Sequence, residues 1–374
     1  MRKLGVDEIQ NIATGAALLG AGGGGNPFIG KMMAITAVKK LGPVTLLDPQ
    51  EVPDEAVCVS SSQIGAPAVS MEKFPNGNEL QGAFMTMEQN MGKKIFATFP
   101  IEAGGINSMI PIVVAAQNNL PLVDVDGMGR AFPELQMSTF VLAGHSVTPI
   151  VMGDERGNTA LINTVDARWA EKIARAITVE MGATAMMTSD TLTGIELRRD
   201  GVINIMTLCE KIGQLINRAN EFSSLEEALG KLLKLTHGFR MLTAKIIDIR
   251  HTTKGGFNFG TVTLSGLDDD QGKNGTVEFQ NENIIFKVDG AVLATAPDLI
   301  TLVDTDTLTP ITNEDLHYGK RVHVLGLPCN AKWRTPAGIA SVGPRYFKYD
   351  VDYVPLEERV QQAKEPLTGG TANV

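Results

Sequence analysis

Strand-like and helix-like patterns alternate up to about residue 125 of this 374-residue chain, and helical patterns follow at about 165–180, 204–219 and 225–235. Such alternation is typical of a mostly parallel sheet covered by helices, with a crevice outside the carboxyl ends of its strands. We therefore predict an α/β fold for this part of the chain. Apolar runs predict strands at 44–47, 56–60, 95–98 and 122–125, and helical periodicity predicts helices at 7–19, 27–40, 78–91 and 105–118.

The pattern changes after His237, where short runs rich in β-branched residues are separated mostly by Gly, Asp and Asn. These runs predict a smaller β-rich domain, built as a sandwich or a barrel-like module. We place this domain at 238–330, and the α/β domain at 1–237 with 331–374 completing it. The predicted β-rich strands are 241–250, 257–265, 276–287, 291–295, 299–303 and 321–326.

Charge and composition exclude several kinds of partner. The net charge is −9 and no Lys/Arg stripe is present, so we expect neither nucleic acid nor a membrane surface as a partner. A small-molecule substrate and protein subunits remain. Because 43% of the residues are hydrophobic, we also expect a homo-oligomer.

The cysteines and the N-terminus indicate a cytoplasmic protein. Cys58, Cys209 and Cys329 are far apart and form no CxxC pair, so neither a disulfide framework nor a thiolate zinc site is expected. This cysteine usage suits a reducing compartment. The first residues are polar where a signal peptide needs its apolar core, and no run of about 18 apolar residues occurs.

Four consecutive glycines, Gly22, Gly23, Gly24 and Gly25, form the first candidate binding site, and Asn26 after them predicts the N-cap of the next helix. Because glycines cost backbone entropy on folding, such a run indicates close approach to a ligand or N–H groups offered to an anion. The alternative is a plain connector between helices. No Gly-Lys-Ser/Thr follows and no strand precedes, so the run is neither a P-loop nor a dinucleotide-binding fingerprint.

Two carboxylates lie at the end of the predicted strand at 122–125. Asp124 and Asp126 would share one face of a continuous strand, and two like charges so close raise the pKa of one group, as suits a base. Arg130 follows, where it can hold a substrate carboxylate or keep an aspartate ionised. We propose these three as catalytic candidates and Glu134 as a substrate-binding candidate. The alternative is a turn with a surface ion pair.

Loops after two other predicted strands should line the same crevice. Glu102 and Asn107 flank a glycine pair after the strand at 95–98. Glu102 is a candidate base and Asn107 a candidate substrate ligand, and a helix cap is the alternative. Gln63 occupies a comparable loop after the strand at 56–60, and we include it among the substrate-binding candidates.

The last third of the chain offers further candidates. Residues 278–283 carry polar groups on both faces of a predicted strand, which we interpret as a contact between domains. Trp333 is a candidate for closing a pocket over a flat ring. Cys329 is a weak candidate nucleophile, and His145 is more simply explained as a structural histidine. No HExxH motif or i, i+4 histidine pair occurs, so the usual zinc sites are not predicted.

At these motifs the chain resembles the S-methyl thiohydantoin desulfurase family, which was long described only as a domain of unknown function. Members often accompany hydantoinase- and oxoprolinase-type proteins. The resemblance therefore implies a small five-membered cyclic amide or thioamide as substrate and a partner protein of that type. The matching stretches are LGAGGGGNPFIG at 19–30, VDVDGMGRAFPELQM at 123–137, EFQNEN at 278–283 and RTPAGIASVGPR at 334–345.

The reaction that this resemblance implies is hydrolytic desulfurisation, in which water replaces an S-methyl group on an amidine-like ring carbon and gives a hydantoin and methanethiol. Such a reaction needs a base, donors for the ring and stabilisation of the developing charge. Our hypothesis is that Asp126 or Glu102 activates the water, while Arg130 and the N–H groups of the glycine run bind the anionic end of the substrate.

Two alternatives remain open. One is a hydantoin-type amidohydrolase or isomerase that acts on a related ring, with no cofactor or with a divalent metal held by carboxylates. The other is a non-catalytic partner subunit of a hydantoinase or oxoprolinase system, which would form a stable complex and show no turnover alone.

Overall fold

The computed structural model describes residues 1–65, 69, 73 and 77–364, which form a mixed α/β structure of two domains. The helices are α1 (Val6–Leu19), α2 (Pro27–Leu41), α3 (Asn78–Met91), α4 (Ile110–Asn118), α5 (Thr139–Leu142), α6 (Ala167–Glu180), α7 (Gly194–Asp200), α8 (Ile205–Asn217), α9 (Leu225–Thr236), α10 (Pro336–Val342) and α11 (Leu356–Lys364). The first ten strands are β1 (Arg2–Leu4), β2 (Val44–Leu47), β3 (Val57–Gly65), β4 (Ala97–Phe99), β5 (Leu122–Val123), β6 (Val125–Asp126), β7 (Ile150–Gly153), β8 (Thr159–Ile162), β9 (Thr184–Thr193) and β10 (Val202–Ile203).

The first domain contains an eight-stranded sheet in the order β1-β2-β5-β4-β3-β9-β7-β8, and β6 pairs separately with β10. Strands β2, β5, β4 and β3 run parallel to one another. Strand β1 at one edge and strands β9, β7 and β8 at the other pair antiparallel. The structure therefore confirms the α/β prediction, but the sheet is mixed and not mostly parallel. One physical reason is that β7 and β8 form a hairpin, which is antiparallel and needs no crossover helix.

The strands of the second domain are β11 (Phe239–Lys254), β12 (Phe257–Gly266), β13 (Asn274–Gln280), β14 (Glu282–Val288), β15 (Ala291–Thr295), β16 (Leu299–Asp304), β17 (Pro310–Ile311) and β18 (Arg321–Leu327). They form an antiparallel sheet in the order β15-β14-β13-β12-β11-β18-β16-β17. The predicted strand at 276–287 is in fact two strands, β13 and β14. Asn281 lies between them in the left-handed region, with a φ of 56°, and reverses the chain.

Helices α1 and α8 pack at backbone distance because each has a glycine at the contact. A Cβ atom on Gly15 would overlap the backbone of Cys209, and one on Gly213 would overlap the backbone of Asn11. This contact holds the end of α1, and with it the glycine run that follows. None of the helices in the described ranges combines the length and the apolar character that crossing a bilayer requires.

The segment after the second sheet contacts both domains. Trp333 and Val342 belong to the apolar core of the first domain, whereas Leu356 belongs to the core of the second. Residues 365–374 lie outside the described part of the chain. The predicted domain boundaries at 237/238 and 330/331 stay predictions.

Candidate functional site

A cavity of about 80 Å³ opens where the two domains meet. It lies at the carboxyl ends of the parallel strands β3 and β4, where α/β sheets bind their ligands, and is lined by the last residues of β3 and by the loop after β4. Asn281 and Glu282, from the turn between β13 and β14, line it from the second domain. Six predicted site residues line this cavity: Gly24, Gly25, Gln63, Glu102, Asn107 and Glu134.

Glu102 is a buried carboxyl in the cavity wall, with 5% of its surface exposed. Asn107 Nδ2 donates a hydrogen bond to its Oε1 at 2.6 Å, and the N–H of Phe132 donates to its Oε2 at 3.2 Å. Burial raises the pKa of Glu102 to about 7, although these two hydrogen bonds and the charge of Arg130 act in the opposite direction. Such a carboxyl can take up a proton near neutral pH.

Glu282 is a second buried carboxyl in the same cavity, with 3% of its surface exposed. Burial raises its pKa well above the ordinary value, and the charge of Glu102 raises it further, while Arg130 lowers it. Its Oε2 has no hydrogen-bond partner in the described part of the chain, whereas both oxygens of Glu102 accept hydrogen bonds. We therefore assign the ionised form to Glu102 and the protonated form to Glu282.

Arg130 is fully buried and does not line the cavity. Its Nη1 donates to the carbonyl oxygens of Pro297 and Asp298, each at 2.9 Å, and its Nη2 donates to the carbonyl of Asn283 at 3.4 Å. All three carbonyls belong to the second domain. Arg130 therefore joins the domains through main-chain contacts, and its charge acts on Glu102 from outside the cavity.

The glycine run has a backbone conformation that few other residues adopt. Gly22, Gly24 and Gly25 have φ angles of 91°, 75° and 81°, all in the left-handed region. A Cβ atom on Gly24 would also overlap Gly104 in the loop after β4. The run therefore packs directly against the loop that carries Glu102.

The same run contacts the second domain. The N–H of Asn283 donates to the carbonyl of Ala21 at 2.8 Å. A Cβ atom on Gly23 would overlap the carboxyl group of Glu282. Gly22 and Gly23 lie outside the cavity lining, as does Asn26, which caps α2 by accepting from the N–H of Phe28 at 2.9 Å.

Asp124 lies outside the cavity lining, at the start of α8. Its Oδ1 accepts hydrogen bonds from the N–H groups of Met206 at 2.7 Å and Thr207 at 3.2 Å. These N–H groups belong to the first turn of the helix, which has no partners for them within the helix itself. The contacts of Asp124 are those of a helix cap.

Asp126 also lies outside the cavity lining and has no exposed surface, at 0%. Its Oδ1 accepts from the N–H groups of Met128 at 3.1 Å and Gly129 at 2.7 Å, and holds the turn that leads to Arg130. Burial raises the pKa of Asp126 well above the ordinary value. Its contacts organise a turn beneath the site and do not reach the space where a substrate would bind.

Asn107 connects the end of β3 with the loop after β4, and Gln63 lies within β3 and not in the loop that the sequence predicted. Asn107 Oδ1 accepts from the N–H of Gln63 at 2.8 Å, while its Nδ2 holds Glu102. Trp333 has no exposed surface, and its ring packs edge-to-face against Phe132, with 5.1 Å between the centroids. Phe132 lines the cavity and Trp333 does not, so the tryptophan supports the wall from behind.

Glu134 lines the cavity beside Phe132. Its Oε2 accepts a hydrogen bond from the hydroxyl of Tyr346 at 2.7 Å. The segment after the second sheet thus holds one acidic side chain of the site in position.

Two residues that line the cavity could not be recognised as site residues from the sequence. Ser62 and Arg175 line the cavity, and nothing in the pattern of β3 or of the amphipathic helix α6 marks them. Asn281 and Glu282 carried a signal, polar side chains on both faces of a predicted strand, which we interpreted as a domain contact. That segment both contacts the first domain and contributes to the cavity.

Two of the weaker candidates lie outside the cavity lining. His145 Nε2 is 2.6 Å from Asp200 Oδ2, in a cluster of charged side chains. Burial raises the pKa of the Cys329 thiol to about 12, so its thiolate is scarce at neutral pH. Across residues 1–65, 69, 73 and 77–364, no three His, Cys, Asp or Glu side chains form a group that would hold a metal ion.

Comparisons with known proteins identify relatives of the chain. The model of the S-Me-THD-like N-terminal domain matches residues 7–164, and that of the S-Me-THD-like C-terminal domain matches residues 165–356. The crystal structure of a protein from Chromobacterium violaceum is similar, with a TM-score of 0.82, 22% identity, and coverage of 95% of this chain and 100% of that one. This likeness shows a shared fold. No curated protein matches the chain.

Proposed function

The chain belongs to the S-Me-THD-like family, and on that premise we propose that it is a hydrolytic enzyme for a small five-membered cyclic amide or thioamide. The reaction that we propose is the release of methanethiol from an S-methyl thiohydantoin. The observation that carries the proposal is the pair of buried carboxyls, Glu102 and Glu282, which the two domains contribute to one cavity.

Glu102 is the base in this proposal. Its carboxylate takes a proton from water while the water oxygen bonds to the ring carbon that carries the S-methyl group. The electron pair of the C=N bond moves to the ring nitrogen. A pKa near 7 suits this role, because the group is then basic enough to accept a proton and still ionised in a useful fraction.

Glu282 is the acid. As the electron pair on the ring nitrogen re-forms the C=N bond, the C–S bond breaks and Glu282 gives its proton to the leaving sulfur, which departs as methanethiol. The remaining C–OH and C=N groups become the C=O and N–H groups of the hydantoin. Glu102 then carries a proton taken from water while Glu282 is ionised, and transfer of a proton from Glu102 to Glu282 restores the starting state.

The glycine run supplies backbone donors in this proposal. Gly24 and Gly25 line the cavity, and their N–H groups donate to no residue in the described part of the chain. We propose that they bind a ring carbonyl or an anionic substituent. We assign Arg130 an electrostatic role, because its donors are bound to main-chain carbonyls and its charge keeps Glu102 more acidic than burial alone would.

The experiment that tests this function measures methanethiol release from an S-methyl thiohydantoin, with the purified protein treated or not treated with a chelator. We expect release in both arms, because the proposed chemistry uses carboxyls alone. Release that disappears with chelator and returns with a divalent metal would place a metal in the mechanism. No release in either arm would contradict the proposal and favour another cyclic amide or a partner-subunit role.

A further inference from the structure

Hydrogen bonds of its main-chain N–H and carbonyl groups fix the position of Asn281 at the cavity. It is only 6% exposed, and its left-handed φ of 56° suits asparagine better than most residues. Its N–H donates to the carbonyl of Asn258 at 2.7 Å, and its own carbonyl accepts from Asn313 Nδ2 at 2.7 Å. The Cα atom that carries the side chain therefore has a fixed position.

The side-chain amide of Asn281 is fixed in orientation as well. The N–H of Asn258 lies 2.8 Å from one of its two terminal atoms, and because a backbone N–H needs an acceptor, that atom is the oxygen Oδ1. The nitrogen Nδ2 then points another way and donates to no residue in the described part of the chain. Asn281 lines the cavity, so this donor is available to a ligand group there.

The position of this donor suits the electronic demand of the reaction. Asn281 lines the cavity and precedes Glu282 directly in the chain. When water adds to the ring carbon, negative charge develops on the ring nitrogen, and a neutral N–H donor stabilises that charge. An amide is a poor acid and leaves proton transfer to the neighbouring carboxyl.

We propose that Asn281 is a further catalytic residue, whose Nδ2 donates a hydrogen bond to the ring nitrogen that gains electrons as water adds. The proposal rests on the proposed function, because it assigns a second group to the same reaction. It also narrows the substrate class to rings whose reacting carbon carries an acceptor nitrogen.

Two variants remove the donor in different ways. Asn281→Gly keeps the left-handed turn and removes the whole side chain. Asn281→Asp keeps the oxygen that accepts from Asn258 and replaces the Nδ2 donor with a carboxylate oxygen. Asp289→Gly is the matched control, because Asp289 has a φ of 48° and its Oδ1 accepts from the N–H of Asn274 at 2.9 Å, but it lies exposed outside the cavity lining.

The test measures kcat and KM for methanethiol release, together with the affinity for the product hydantoin by calorimetry. We expect kcat to fall about 100- to 1,000-fold in both Asn281 variants, the size of effect that removing one such donor has elsewhere. Hydantoin affinity should change far less than kcat, and Asp289→Gly should keep the kcat of the wild type.

The outcomes separate the two proposals. An active wild type with either folded Asn281 variant within threefold of its kcat would overturn the role of Asn281 and leave the proposed function standing. Equal losses in Asn281→Gly and Asp289→Gly would indicate a structural effect and also overturn it. A wild type that releases no methanethiol would overturn both.

Discussion

Two glutamates of similar burial are held in different proton states by their immediate surroundings. Glu102 accepts hydrogen bonds at both oxygens, and these bonds stabilise its charge. Glu282 has an oxygen without a donor and lies near a negative neighbour, so its charged form is disfavoured. A base and an acid of the same residue type can therefore work in one cavity at one pH.

The pH dependence of the rate follows from this difference. For the wild type, kcat/KM should rise as the pH passes about 7, because Glu102 must be ionised. It should fall again at higher pH, because Glu282 must be protonated. Glu282→Gln should lose this alkaline fall and run about 100- to 10,000-fold slower, since an amide cannot supply the proton. Methanethiol release across pH gives both profiles, and a Glu282→Gln profile identical to that of the wild type would contradict the assignment.

For helices and strands, the sequence predicts the ranges that depend on interactions between neighbouring residues. Helices α1, α2 and α3 and strand β2 lie within a residue or two of their predicted ranges, because apolar periodicity and caps such as Asn26 are properties of neighbouring residues. Strand β9 has no continuous apolar run, so nothing local indicated that it pairs antiparallel with β3. The turn at Asn281 was missed because a single left-handed residue interrupts an otherwise strand-like run.

Some residues of the candidate site could likewise be placed from local sequence patterns, and others could not. Gln63, Glu102 and Asn107 could be placed at one edge of the sheet from the rule for parallel strands, although Gln63 lies at the end of β3 and not in a loop after it. Glu282 joins them from a domain whose docking depends on tertiary contacts, such as those of Arg130, that no sequence period encodes. The polar segment at 278–283 could be recognised from the sequence, but the cavity of the first domain that it contacts could not.

The glycine run at 22–25 contacts both domains, and a substitution within it tests how tightly it packs. In Gly23→Ala, the new methyl group would overlap the Glu282 carboxyl, so that the acid must move. We expect kcat/KM for methanethiol release to fall at least tenfold, with a loss of about 1–3 kcal/mol in the free energy of unfolding. Gly230→Ala is the control, because a Cβ atom there meets nothing within 4 Å. Equal activity in the two variants would show that the run has no such constraint.

For the whole molecule, the cavity depends on how the two domains meet. One wall comes from the mixed sheet of the first domain and the other from the turn between β13 and β14. Arg130 lies outside the cavity lining and binds carbonyls of the second domain. The domain boundary near His237, the homo-oligomer and the hydantoinase-type partner stay predictions.

Removing the Arg130 charge should weaken the joint between the domains. We expect Arg130→Met to lower the free energy of unfolding by about 3 kcal/mol or more, because it leaves buried carbonyls without donors and two carboxyls without a compensating charge. Urea denaturation measures this loss. Arg250→Gln, with a side chain 84% exposed, should change it little. Equal stability of the two variants would contradict the role given to Arg130.

The most direct test compares methanethiol release by the wild type, Glu102→Gln and Asp190→Asn. Asp190 is a matched control, because it is also buried, its pKa is raised to about 6 by burial, and it lies outside the cavity lining. We predict a loss of about 100- to 10,000-fold in Glu102→Gln and a rate near that of the wild type in Asp190→Asn. A folded Glu102→Gln protein that releases methanethiol as fast as the wild type would show that Glu102 is not the base.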